Sequence, residues 1–166
     1  DAFPDEQEAI DQYVKLLGKV ADGMQWYTLS KLAPGTLSPA INRGLDIALP
    51  DCFNTTTGQV LSELTGNQEL IGAITGTWGD CGVTPMQSSF MVHALITLSI
   101  ISMTVGNLAS IVQKDLKRLL AYSAVAHAGY VLIGILSMNS SGYTSVIFYA
   151  VALLVMKFTA FLVVVK

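Results

Sequence analysis

Two long stretches of the chain, Cys81–Gln113 and Leu119–Met156, carry no formal charge, and a tight basic cluster of Lys114, Lys117 and Arg118 sits between them. Each stretch holds the roughly 20 apolar residues that cross a bilayer, and a basic turn between two such stretches is the pattern of a membrane hairpin. A third apolar run, Ser145–Val165, is interrupted only by Lys157. The pattern predicts three membrane helices, near 90–112, 119–138 and 145–165.

Upstream the pattern changes. Phe3-Pro4-Asp5-Glu6 places a proline and acids where a helix begins, because the first turn leaves N–H groups unpaired at the positive end of the dipole. Ala9, Ile10, Tyr13, Leu16, Leu17 and Val20 then recur at helical spacing, predicting an amphipathic helix over about 5–25. Pro34-Gly35, Pro39, Gly44 and Pro50 mark a broken connection. Thr55-Thr56-Thr57 opens a second short helix, and Asn67 caps a third from Gln68 to about Thr75. Glycine is too dense in Trp78–Pro85 for regular structure. With no alternating strand pattern of useful length, the fold class is all-α: a soluble helical segment, 1–89, followed by a transmembrane helical segment, 90–166.

Composition sharpens this reading. The chain has 166 residues, 52% hydrophobic and 13% charged, with a mean hydropathy of +0.54; soluble domains average about 25% charged, so a membrane protein is indicated. Charge is unevenly placed. Residues 1–96 hold 4 basic and 11 acidic side chains, residues 97–166 hold 5 basic and 1 acidic. The acidic balance argues against nucleic-acid binding. No Ser-His-Asp set, metal cluster or phosphate loop is visible, and Cys52 and Cys81 are expected to be buried free thiols.

Candidate chemistry is therefore sparse. Lys157 lies well inside an apolar run, where a lysine costs about 2.5–3.5 kcal/mol on insertion scales unless it faces a wet or paired interior. Either it serves in proton transfer there, or the span is short and the lysine snorkels from its end. His127 follows Tyr122 and Ser123 by about one turn and adjoins Gly129 and Tyr130; a proton relay and a satisfied packing histidine are the two readings. Lys114, Lys117 and Arg118 form an orientation signal that stays inside, placing residues 1–89 and Asn139–Thr144 on the opposite face. Gly106, Gly129 and Gly134 allow close helix approach.

The run GN-x5-QKDLKRLLAYSAVAHAGY (Gly106–Tyr130) resembles the antiporter-like membrane subunits of respiratory complex I, most closely subunit N, and Phe148–Val165 is similar to the following helix of that family. The resemblance covers about Leu98–Lys166. It implies a proton-conducting membrane part of an NADH-quinone oxidoreductase, with no redox cofactor of its own and with lipid and other membrane-arm subunits as partners. The setting it implies is a bacterial or archaeal plasma membrane or a mitochondrial inner membrane. By the same resemblance, Lys157 stands where many of these subunits place a link in a lateral proton path, although subunit N often carries a neutral residue there, and whether the chain counts as an enzyme depends on the larger assembly.

A second resemblance covers about Asp1–Ile96. FPDEQEAIDQYVKLL, TTTGQVLSEL and GTWGDCGVTPMQSSFMVHAL occur in the order found in the middle of retinol saturase and carotenoid-desaturase-like flavoenzymes. That family binds FAD through segments without counterparts in this chain. The two resemblances meet at 96–98 inside one apolar run with no polar linker, as an artificial join would. The alternatives are thus a fragment of an FAD-dependent oxidoreductase or a non-functional chimeric reading frame. Asp1 is not an initiator Met and Lys166 directly follows FLVVV, which reads as an internal fragment.

Overall fold

The computed structural model describes residues 3–32, 43, 54–76, 84–137 and 139–165. They form a 3-10 turn, Pro4–Glu6, and six α-helices: α1 Gln7–Leu32, α2 Thr57–Leu64, α3 Gln68–Ile74, α4 Phe90–Ile111, α5 Leu116–Leu136 and α6 Ser140–Val165. Among the described residues there is no strand, and pairing is limited to an isolated antiparallel bridge between Thr56 and Ser89. The connection from Pro34 to Pro50, both cysteines and most of the Trp78–Pro85 loop lie outside the described residues.

The chain divides into two compact units, Asp1–Ala94 and Leu95–Lys166. In the first, α1 buries Ala9, Tyr13, Leu17, Val20 and Met24, one residue per turn along a single stripe. The helix runs past the expected end near Gln25 because nothing before Pro34-Gly35 stops it. Leu61 of α2, Leu70 of α3, and Phe90, Met91 and Ala94 of α4 are also buried. Each large apolar side chain so buried contributes about 1.5–3 kcal/mol.

Polar groups fix the helix starts of this unit. Thr56 and Gln59 form a reciprocal capping box on α2. Asn67 Oδ1 accepts from Glu69 N at 3.0 Å and Leu70 N at 3.3 Å, as its position before an apolar run led us to expect. Thr57 N donates to Ser88 O at 2.8 Å, Gly58 N to Pro85 O at 2.9 Å and Phe90 N to Thr55 O at 3.0 Å. The first turns of α2 and α4 are thereby tied to each other.

The second unit holds most of α4 with α5 and α6. α4, α5 and α6 are the three helices long and apolar enough to cross a membrane. Two of them begin earlier than hydropathy indicates. Asp115 Oδ1 accepts from Lys117 N at 2.9 Å, so α5 starts at Leu116 rather than 119 and Lys117 and Arg118 occupy its first turn instead of a loop. Asn139 Oδ1 accepts from Gly142 N at 2.7 Å, and α6 starts at Ser140 rather than 145. Side-chain capping, invisible to a hydropathy profile, sets both ends.

α4 and α5 meet backbone to backbone through two glycines. A Cβ on Gly106 would lie 2.6 Å from Ala126 N, and one on Gly129 would lie 2.9 Å from Ser99 O. Each helix thus presents a glycine to the other's main chain, the close approach that small residues permit in membranes. Gly134 faces the other way, making room for Val146 of α6.

Candidate functional site

Polar side chains are scarce on α5 and α6, and the structure pairs them across the contact between the two helices. Ser123 and His127 are one turn apart on α5; Tyr149 and Lys157 are eight residues apart on α6, which returns them to one face after just over two turns. Lys157 Nζ donates to Ser123 Oγ at 2.8 Å and to Leu120 O at 3.1 Å. His127 Nδ1 shares a hydrogen bond with the Tyr149 hydroxyl. The His127 ring also meets Tyr130 edge-on, with centroids 5.6 Å apart. All four paired residues are half-buried.

Lys157 therefore does not extend toward the end of its helix, and it sits eight residues from Val165. Its amine is paired to the neighbouring helix, close to the start of α5. Phe158 is 64% and Leu162 58% exposed, because both project from the side of α6 turned away from α5. His127 is likewise paired, but to Tyr149 and not to the Tyr122 and Ser123 that precede it.

Open space flanks these pairs at both ends of the α5–α6 contact. A groove of about 200 Å³ is lined by Tyr130, Val131, Gly134, Ser145, Val146 and Tyr149. Toward the basic turn lies a wider groove of about 530 Å³, bordered by Leu116, Leu120, Met156, Ala160 and Val163 among others. Tyr149 touches the first and Leu120 the second, so the polar pairs stand between the two.

The structure places Lys114, Lys117 and Arg118 at the solvent-exposed start of α5, separate from the paired residues. Sequence reasoning missed Tyr149. Its signal was the eight-residue spacing to Lys157. It also missed His93, on the first turn of α4, which is buried and hydrogen-bonded to the Tyr13 hydroxyl at 2.8 Å. Ser99 Oγ is buried without a hydrogen-bond partner among the described residues. No group of three or more metal-ligating side chains occurs among them either.

A family model described as NADH:quinone oxidoreductase/Mrp antiporter, TM, matches residues 70–166. The chain is 53% identical over 122 residues to NADH-quinone oxidoreductase subunit N 2 of Syntrophobacter fumaroxidans, covering 70% of this chain and 25% of that protein. To subunit N 2 of Opitutus terrae it is 31% identical over 152 residues, covering 82% of this chain and 32% of that protein. Subunit N of Laribacter hongkongensis is 48% identical over 67 residues, covering 40% of this chain and 14% of that protein. The chain thus spans a third or less of the length of these relatives. No solved structure matches it.

These matches correct the expected seam. The family model begins at residue 70, and a match covering 82% of the chain necessarily extends far upstream of position 96. α4 runs unbroken through 96–98. The change of charge balance there has a simpler physical cause, which is the entry of the chain into its first apolar span. None of these three relatives, nor the family model, is described as a flavoenzyme.

Proposed function

Because this chain belongs to the NADH:quinone oxidoreductase/Mrp antiporter transmembrane family, we propose that it is part of an antiporter-like subunit N of an NADH-quinone oxidoreductase, in which α5 and α6 carry a section of a proton path. The chain is an integral membrane protein, and its relatives point to a bacterial inner membrane. Its partners on this reading are the surrounding lipid and the other subunits of a membrane arm. It holds no redox cofactor of its own.

The observation that carries the proposal is the pair of cross-helix contacts, Lys157 with Ser123 and Leu120, and His127 with Tyr149. An amine in an apolar span is costly unless it is paired or wet, and such residues mark ion pathways. Protonated Lys157 is held by two acceptors. When it releases a proton to a water in the contact, its neutral nitrogen accepts a hydrogen bond from the Ser123 hydroxyl, so the amine keeps a partner in both states. His127 takes a proton at one ring nitrogen while the other remains engaged with Tyr149. The narrower groove beside Tyr149 gives water a place to approach the His127–Tyr149 pair.

The test is proton pumping by the assembled enzyme in vesicles. Lys157→Met in the full-length subunit lowers protons moved per NADH oxidised while the assembly still co-purifies with NADH-oxidising activity. Normal pumping by that variant would remove Lys157 from the path.

A further inference from the structure

We propose that the wide groove between α5 and α6 at the basic turn is a binding site for one acyl chain of an anionic phospholipid, whose phosphate is held by Lys114, Lys117 and Arg118. The groove, about 530 Å³, is lined by Leu116 and Leu120 of α5 and by Met156, Ala160 and Val163 of α6. From Met156 to Val164 it follows eight residues of α6, about 12 Å at 1.5 Å per residue, and no charged side chain lines it. That is the length and chemistry of roughly the outer half of an acyl chain.

What selects the occupant is the charge at its mouth. Leu116, which borders the groove, lies between Lys114 and Lys117-Arg118 in the chain. The three basic side chains are exposed and make no ion pair among the described residues. Asp115, the acid beside them, is occupied in capping α5. Three basic residues against one acid leave a net formal charge of +2 beside Leu116 at the end of an apolar groove, which complements a headgroup with one or two negative charges. A zwitterionic headgroup offers no such match, and another apolar helix would fill the groove without using the charges.

Photolabelling of the full-length subunit in vesicles tests this. The probes are phosphatidylglycerol and phosphatidylcholine carrying the same acyl-chain diazirine, each at low mole fraction in phosphatidylcholine. Each basic residue near an anionic surface adds about fivefold to affinity, so labelling of the Met156–Val163 segment is expected to favour phosphatidylglycerol by roughly tenfold or more. Lys114→Gln with Lys117→Gln and Arg118→Gln removes the preference. Because those changes also weaken the orientation signal, Ala160→Phe is the second variant: it fills the groove, keeps all three charges and lowers labelling severalfold. Equal labelling by the two probes would mean unselective boundary lipid, and no labelling by either would mean that protein covers the groove; either result overturns the proposal.

Discussion

Lys157 on α6 donates to Ser123 on α5 at 2.8 Å, tying the charged side chain in the interior of the last span to a hydroxyl on its neighbour. A charge so placed is tolerated for what it does and not for what it adds to insertion. Replacing Lys157 by Met should therefore leave insertion no harder, since pairing offsets part of the about 2.5–3.5 kcal/mol that a lone lysine costs in a span, while proton pumping per NADH falls. Lys157→Arg keeps the charge but does not release a proton near neutral pH, so pumping falls equally. Ser123→Ala leaves Leu120 O as an acceptor, and a smaller loss is expected. The ratio of protons pumped to NADH oxidised in vesicles separates these outcomes.

Tyr149→Phe removes the hydroxyl that His127 Nδ1 meets. A single interhelical hydrogen bond in a membrane contributes about 0.6–1.7 kcal/mol, so the α5–α6 contact should loosen by that amount. If the pair acts as a unit, His127→Gln in the Tyr149→Phe background adds little further loss. A double-mutant cycle on unfolding in detergent measures the coupling, and strict additivity would show the two residues to be independent.

Gly106→Ala places a Cβ against the Ala126 backbone at 2.6 Å, where no flexible atom can yield. A loss of about 1–3 kcal/mol is expected from the forced separation of α4 and α5. Gly18 is the control, since a Cβ there meets nothing within 4 Å and Ala in a helix interior is favoured by about 1 kcal/mol. Gly18→Ala should stabilise where Gly106→Ala destabilises, as read by thermal unfolding of both variants side by side.

Ser140 begins α6 in an exposed position. With Lys114, Lys117 and Arg118 held inside by the positive-inside rule, Ser140→Cys is expected to react with an impermeant maleimide added from the opposite, outer side. Labelling from the cytoplasmic side alone would reverse the assigned orientation.

The purified chain is expected to retain no FAD and to leave retinoids unchanged, because its sequence has no G-x-G-x-x-G run of the kind that holds a pyrophosphate. Absorbance near the flavin bands after purification checks this; stoichiometric flavin would revive the likeness of residues 1–96 to a flavoenzyme.

The three spans were legible because a bilayer imposes a long uncharged run, and Phe90–Ile111, Leu116–Leu136 and Ser140–Val165 satisfy it. Their starts were less so: Asp115 and Asn139 look like loop residues to a hydropathy window, yet each caps a helix. Lys157 and His127 stood out as polar residues in apolar runs. Tyr149 did not, since a tyrosine in a span is unremarkable until its spacing to Lys157 is laid on a helix. The charge change near 96–98 misled in the opposite direction, because a passage from water to lipid alters composition as sharply as a junction of unrelated segments.

The two helix contacts of the membrane unit differ in kind, and this gives them different mechanical roles. Gly106 and Gly129 set main chain against main chain, so α4 and α5 cannot slip by a residue without collision. α6 meets α5 through hydrogen-bonding side chains, Lys157, Ser123, His127 and Tyr149, and through Gly134, which makes room for Val146. Register is therefore set by main-chain collision where α4 meets α5 and by side-chain polarity where α5 meets α6, and the second contact is the one that carries the ionisable groups.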